Sequence, residues 1–357
     1  MEPPRVSRKV TKESPKFKIV FFGTPEFAVP SLKSIISQNN FEIVAVISQT
    51  SKAKGRGAKI VDPEIVELAK ENGITNIFQP KSINKIKLIS GKLEIDDPEN
   101  PEAIRMCETL NNNPPDIGVV VAYGKIIPDS ILNFPKYGLV NLHPSDLPRW
   151  RGAAPLQHTL FAGDKSTRIC IIKLLKELDA GPILNSIFLD DISNEDLHSL
   201  QVLTANQGAD LLVETLNQFV KGTVVEKVQS TDGITYAHKW EKSDSLINWK
   251  DSTDLTLNRI RASYPTPGAF TFFNGKKVKI FEASTIDPAP ITEGKTSGEL
   301  ILIADSRFAV MTEDGLCIEI KELQMEGKKR VKATDFLNSN NLRSRLRSGE
   351  SIFFTNP

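Results

Sequence analysis

Asn141 and His143 are the pair of residues whose types and spacing best suit them to chemistry. They stand two apart in the β-branched, apolar run 139–143, and the period of two along a strand sends both side chains to one face. A donating amide and an imidazole that donates or moves protons then share a strand end. Such a pair suits a reaction in which negative charge develops on oxygen. Asp179, in Leu178-Asp179-Ala180-Gly181-Pro182, adds a carboxylate on a tight turn that can orient an imidazole and keep it protonated. Read alone, an Asn–His pair is often satisfied structural polarity and a turn aspartate is commonplace. Neither feature identifies a reaction by itself.

The elements that must position these groups alternate. Residues 18–22 read as a short buried strand, 23–26 as a turn, 28–37 as a helix with apolar residues at helical spacing and 42–48 as a second strand. A helix over 62–71 has Pro63 in its first turn and Gly73 just past its end. Runs 117–122 and 139–143 are further strands bounded by Pro and Gly, so the first half reads as a Rossmann-like, doubly wound and mostly parallel α/β sheet. In such sheets ligands bind beyond the carboxyl ends of strands, where the stretch after His143 lies. Ser193 and Asp196 form an S-x-x-D helix start, and Leu197, Leu200, Leu203, Leu211, Leu212, Leu216 and Phe219 keep helical spacing to Gly222. Alternation returns in 269–273, 277–282, 300–303, 308–312 and 316–320, which predicts a small C-terminal β-barrel of the OB-like kind.

The expected organisation is a basic N-terminal extension over 1–16, a catalytic domain over 17–228, a linker over 229–240 and the β-barrel domain over 241–350. A polar, Lys- and Asp-rich insertion at about 80–100 reads as a surface loop. The extension carries Arg5, Arg8, Lys9, Lys12 and Lys16 and no apolar core, so it is no secretory signal; a transit remnant and a plain flexible terminus fit it equally.

Composition excludes several classes. Among 357 residues, 45 Lys and Arg stand against 44 Asp and Glu, and a net charge of +1 names no polyanionic partner. No apolar stretch approaches the ~20 residues that span a bilayer. Cys107, Cys170 and Cys317 are far apart, without a C-x-x-C pair or a neighbouring histidine cluster, so buried, reduced thiols and no metal site are expected. Trp150, Trp240 and Trp249 are expected to pack, with Trp150 near enough to the Asn–His pair to line it. Gly23-Thr24-Pro25-Glu26 lacks the G-x-G-x-x-G turn, which argues against a dinucleotide-dependent oxidoreductase.

Four segments together carry a resemblance. Phe21-Phe22-Gly23-Thr24-Pro25-Glu26-Phe27, Val121-Ala122-Tyr123-Gly124, the run from Asn141 through Pro148-Arg149-Trp150-Arg151-Gly152 to Pro155, and Leu178-Asp179-Ala180-Gly181 resemble the methionyl-tRNA formyltransferases. The likeness extends from about Phe17 to Leu337, including Thr235-Tyr236-Ala237 and Gly327-Lys328-Lys329. It implies transfer of a formyl group from 10-formyltetrahydrofolate to the α-amine of methionyl-initiator tRNA, by a monomer that needs no metal or membrane. Asn141 and protonated His143 would hold the oxyanion, and Asp179 would stabilise the imidazolium and relay the proton from the amine toward the departing folate nitrogen. Ser145, Asp146, Leu147 and Pro148 occupy the folate-contacting position, and Val121, Ala122, Tyr123 and Gly124 would present backbone groups to the pterin. Where this chain has Pro144 and Asp146 the family usually has Gly and Leu, so a backbone N–H is lost and a charge is added beside the folate position. The Gly-rich basic loop 51–59, with Lys52, Lys54, Arg56 and Lys59, matches the family's tRNA loop. Arg149, Arg151, Lys328 and Lys329 would add phosphate contacts. A related formyltransferase acting on an amino-sugar nucleotide or other small amine would share the same three catalytic positions, though the basic loop and second domain argue against it. Formylated initiator tRNA implies a mitochondrial or other organellar matrix, favoured here by the basic extension, or a bacterial cytoplasm.

Overall fold

The computed structural model describes residues 15–54, 59–286, 294–339 and 341–356. Seven strands form one sheet: β1 (Phe17–Gly23), β2 (Phe41–Ile47), β3 (Ile77–Phe78), β4 (Ile117–Val121), β5 (Leu139–His143), β6 (Thr167–Lys173) and β7 (Ile183–Leu189), in the order β7-β6-β5-β4-β1-β2-β3. Pairs β1–β2, β1–β4, β2–β3 and β4–β5 are parallel, and β6–β7 is antiparallel. The inner strands are apolar on both faces, as helix-covered parallel strands must be: every residue of β4 is buried, as are Val20 to Gly23 of β1. Helices α1 (Val29–Ile36), α2 (Glu64–Glu71), α3 (Pro101–Asn112) and α4 (Pro155–Phe161) connect the strands, and α5 (Leu197–Lys221) follows the last of them.

Two local readings need correcting. The insertion at 80–100 is not all loop: Lys87–Ile89 and Lys92–Glu94 pair as a hairpin. Ser90 and Gly91 turn it with φ values of 48° and 79°, the positive pair that matches strand twist. Leu93 is buried, and Asn111 of α3 bonds both its N–H and its carbonyl at 2.8 Å. At the start of α5, Asp196 rather than Ser193 makes the cap: its Oδ1 accepts from the Ser199 N–H at 2.9 Å and the Ser199 hydroxyl accepts from its N–H at 3.0 Å.

The C-terminal part holds helix α6 (Thr253–Ser263), strands β8 (Ala269–Phe273), β9 (Lys276–Thr285), β10 (Leu300–Ala304), β11 (Arg307–Met311), β12 (Cys317–Met325) and β13 (Val331–Lys332), and short helices α7 (Ala333–Ser339) and α8 (Leu342–Arg347). Their order is β8-β9-β12-β11-β10, with β13 on β12. Closure comes from a segment beyond the expected limit of 350. Thr355 exchanges backbone hydrogen bonds with Phe272 of β8, while the Ile352 carbonyl accepts from Leu300 of β10. One edge of the sheet is thereby joined to the other, which removes both free edges. Phe354 packs with Trp249, Phe273, Phe308 and Phe336 in an aromatic core.

The chain divides into two compact units, Met1–Asn141 with Leu212–Val224 and Leu142–Leu211 with Val225–Pro357. Within the second of these units α4 packs on α6.

Candidate active site

The site is assembled where β5 ends. His143 is buried, and its Nε2 lies 2.9 Å from the carbonyl oxygen of Trp150. A carbonyl only accepts, so Nε2 carries a proton. On the other side of the ring, Nδ1 faces Asp179 Oδ2 at 3.7 Å, an ion-pair separation longer than a hydrogen bond. Asn141 precedes His143 by two on the same strand and is half-buried. The period of the strand sends both side chains to one face.

Asp179 is held by backbone. Its φ is +48°, in the left-handed region that Asp tolerates better than most residues, and its Oδ2 accepts the Gly152 N–H at 2.8 Å. Gly152 has a φ of +127°, and a Cβ there would stand 2.4 Å from the Ala237 carbonyl oxygen. Two residues after Asp179, a Cβ on Gly181 would meet the Lys173 carbonyl oxygen at 1.7 Å. Only glycine lets this turn lie flat on β6.

Gln229 was not singled out by sequence, yet it locks the turn. Its buried side chain donates from Nε2 to the carbonyls of Asp179 and Gly181, both at 2.7 Å. Its Oε1 accepts from Arg151 Nε and Nη2 at 3.2 and 2.9 Å. A lone glutamine in an irregular segment has no periodicity to betray it; only the fold shows what it meets.

The structure therefore gives Arg151 an internal role. Its side chain is 5% exposed, bound to Gln229 and 3.5 Å from Glu177, which leaves little of the guanidinium for a phosphate. Arg149 is also engaged, forked onto Asp164 through Nε and Nη2 at 3.0 and 2.9 Å. The charge added by Asp146 is compensated, because Oδ1 accepts from Arg168 Nε at 2.7 Å. Pro144 breaks nothing: the turn bonds come from the Ser145 N–H to the His143 carbonyl and the Leu147 N–H to the Ser145 carbonyl. Ser145 is buried, its hydroxyl bonded to the Arg149 carbonyl at 2.8 Å, and Leu147-Pro148 is a cis peptide.

Val120 pairs with Asn141 in register, so 121–124 leaves the sheet at the Asn141 end of β5. Ala122 and Gly124 are exposed with positive φ, while the Tyr123 carbonyl accepts from Thr24 Oγ1 and Gln49 Nε2 at 3.1 and 2.8 Å. The Tyr123 hydroxyl is buried without a partner among the described residues, and burial pushes its pKa up to about 12. Lys52 is exposed on the hairpin formed by Lys52–Lys54 and Lys59–Val61; Lys54 and Lys59 belong to those strands. Arg56 lies outside the described residues. Lys328 and Lys329 are exposed at the turn between β12 and β13. All three cysteines are free and buried. Among the described residues, no group of three or more His, Cys, Asp or Glu is arranged to hold a metal ion. No described helix is long and apolar enough to cross a membrane.

The family described as formyl transferase matches residues 17–216, and the formyl transferase C-terminal domain matches 239–341. A methionyl-tRNA formyltransferase of Rickettsia bellii is 40% identical over 321 residues, 90% of this chain and 96% of that protein. One from Thermodesulfovibrio yellowstonii is 38% identical over 321 residues, 89% and 94% of the two chains. In fold, the chain is similar to an N-formyltransferase from Helicobacter canadensis solved with folinic acid and dTDP-3-aminofucose, with a TM-score of 0.60, 16% identity and coverage of 87% and 99%.

Proposed function

The chain belongs to the methionyl-tRNA formyltransferase family, and we propose that Asn141, His143 and Asp179 are the groups with which it moves a formyl group from 10-formyltetrahydrofolate to the α-amine of methionyl-initiator tRNA. The observation that carries the site assignment is the buried His143 held between the Trp150 carbonyl and the Asp179 carboxylate.

The amine nitrogen bonds to the formyl carbon while the bond from that carbon to the folate nitrogen breaks. Negative charge passes through the formyl oxygen on the way. Asn141 and the His143 ring donate to that oxygen, His143 once its Nε2–H leaves the Trp150 carbonyl it meets here, and donors of this kind stabilise a transition state most. Asp179 faces the imidazole ring and takes part in moving the amine proton to the folate nitrogen. The turn 145–148 follows directly on β5, at the end where the folate is expected, and the backbone of 121–124 leaves the neighbouring strand β4.

The acceptor side rests on the basic loop 51–59, with Lys52, Lys54, Arg56 and Lys59, and on Lys328 and Lys329. Phosphate-tracking cations of this kind make binding sensitive to salt. The Rickettsia and Thermodesulfovibrio relatives are bacterial, and they give no support to a mitochondrial location; only the basic composition of 1–16 speaks for an organelle. The deciding assay is transfer of labelled formyl from 10-formyltetrahydrofolate to methionyl-initiator tRNA. The native chain transfers it, and His143→Ala loses at least ~100-fold in kcat. A folded native chain that leaves charged tRNA unmodified overturns the assignment.

A further inference from the structure

A cleft of about 700 Å³ opens within the unit that holds His143, lined by Trp150, His158, Phe161, Trp240, Asp254 and Asn258 among others. That volume is in the range of ordinary small-ligand sites. Its walls are rings. Trp150 and His158 have centroids 5.3 Å apart, His158 and Trp240 5.5 Å, and Phe161 and Trp240 5.6 Å.

These rings are fixed in advance. Trp150 Nε1–H donates to Asp164 Oδ2 at 2.9 Å, and Asp164 also holds the Arg149 guanidinium 4.3 Å over the Trp150 ring. Trp240 Nε1–H donates to Ser245 Oγ at 3.0 Å. With both indole N–H groups bonded elsewhere, what the tryptophans offer a ligand is apolar ring face. His158 is buried, and burial lowers its pKa, so it adds a neutral ring.

Charge then narrows the ligand. Asp244 and Asp254 line the cleft, and among the described residues no lysine does. Its arginine, Arg259, is bound to Asp251 at 2.8 Å and covers Phe161. A phosphate would face carboxylates here, whereas a flat ring carrying an exocyclic amine would stack and donate to them. Trp150 is also the residue whose carbonyl accepts from His143, so the cleft is tied to the catalytic strand end through one backbone unit.

We propose that this cleft binds an amino-bearing nucleobase, adenine or cytosine, from the single-stranded end of the acceptor RNA. The proposal rests on the reading of the acceptor as charged tRNA, whose acceptor end carries these two bases. Stacking on aromatic side chains is how unpaired bases are generally held.

The test uses the full chain and two probes, the trinucleotides CCA and UUU, followed by tryptophan fluorescence and calorimetry. CCA binds about tenfold more tightly than UUU; Trp240→Leu weakens CCA binding about tenfold, and Trp240→Phe, which keeps a ring, weakens it less than about threefold. In the transfer assay Trp240→Leu raises KM for methionyl-tRNA by a similar factor, with a smaller effect on kcat. Should Trp240→Leu not fold, Asp254→Asn, an exposed change, carries the test by reducing the preference for CCA over UUU. Equal binding of the two probes, or CCA binding unaltered in both folded variants, overturns the proposal whatever the enzyme's activity. CCA binding by a chain that leaves methionyl-tRNA unformylated supports the cleft and overturns the acceptor reading instead.

Discussion

His143 and Asp179 face each other at 3.7 Å, Nδ1 to Oδ2, yet each makes its shorter hydrogen bond to backbone: His143 to the Trp150 carbonyl, Asp179 to the Gly152 N–H. The pair is positioned by the peptide chain between residues 150 and 152, and the carboxylate contributes charge. Asp179→Asn should therefore keep the fold, because an amide oxygen still accepts from Gly152, while kcat falls roughly 10²- to 10⁴-fold. Thermal unfolding measured beside single-turnover transfer separates the two effects.

Gln229 acts through the turn that carries Asp179. Gln229→Ala leaves two carbonyls and a buried guanidinium short of partners, at a cost on the order of 3–5 kcal/mol. Gln229→Glu still accepts from Arg151 but can no longer donate to both carbonyls. A kcat loss of roughly tenfold shared by both variants identifies turn orientation as the cause; recovery in Gln229→Glu assigns the effect to Arg151 alone.

Burial holds the His158 imidazole below its ordinary pKa of 6.5. The unfolded chain then binds more protons than the folded one between the lowered value and 6.5. The contribution is fully present above pH 6.5 and is lost as pH falls through the lowered value. Melting temperatures measured from pH 8 to pH 5 should decline less steeply in His158→Gln than in the native chain.

The barrel is closed by residues 352–355. Ile352 and Phe354 are 5% and 2% exposed, and burying two such side chains is worth on the order of 3–6 kcal/mol. Deletion of 352–357 should open the edges of β8 and β10 and bring faster amide exchange in those strands, read by mass spectrometry.

Neutralising Lys52, Lys54, Arg56 and Lys59 to alanine together should raise KM for methionyl-tRNA and flatten its dependence on salt, by about 0.7–0.9 in log–log slope for each phosphate no longer neutralised. KM for the folate should not move. Equal salt slopes in the native and variant proteins would remove this loop from the tRNA interface.

Hydrophobic pattern and punctuation were enough to place most elements. The parallel strands are apolar on both faces, so β1, β2, β4 and β5 stand out as runs, and β5 is read at its observed limits, Leu139–His143. The catalytic candidates were legible because Asn141 and His143 lie two apart on one strand, a relation that local geometry guarantees. The hairpin at 87–94 was hidden because its only buried apolar residue is Leu93, and one residue makes no alternation.

What the sequence determined by itself was everything set by short-range periodicity: the parallel strands β1, β2, β4 and β5, the long helix, the barrel strands β8 to β12 and the face shared by Asn141 and His143. Only the tertiary structure decided which cations are free and which are spent. Arg149 and Arg151 look alike in the sequence as basic residues beside the site, but partners 15 and 78 residues away, Asp164 and Gln229, engage both. The same holds for the clamp of Gln229 on the Asp179 turn, the closure of the barrel by 352–355 and the ring-lined cleft. Each depends on contacts between segments far apart in the chain, which no local spacing encodes.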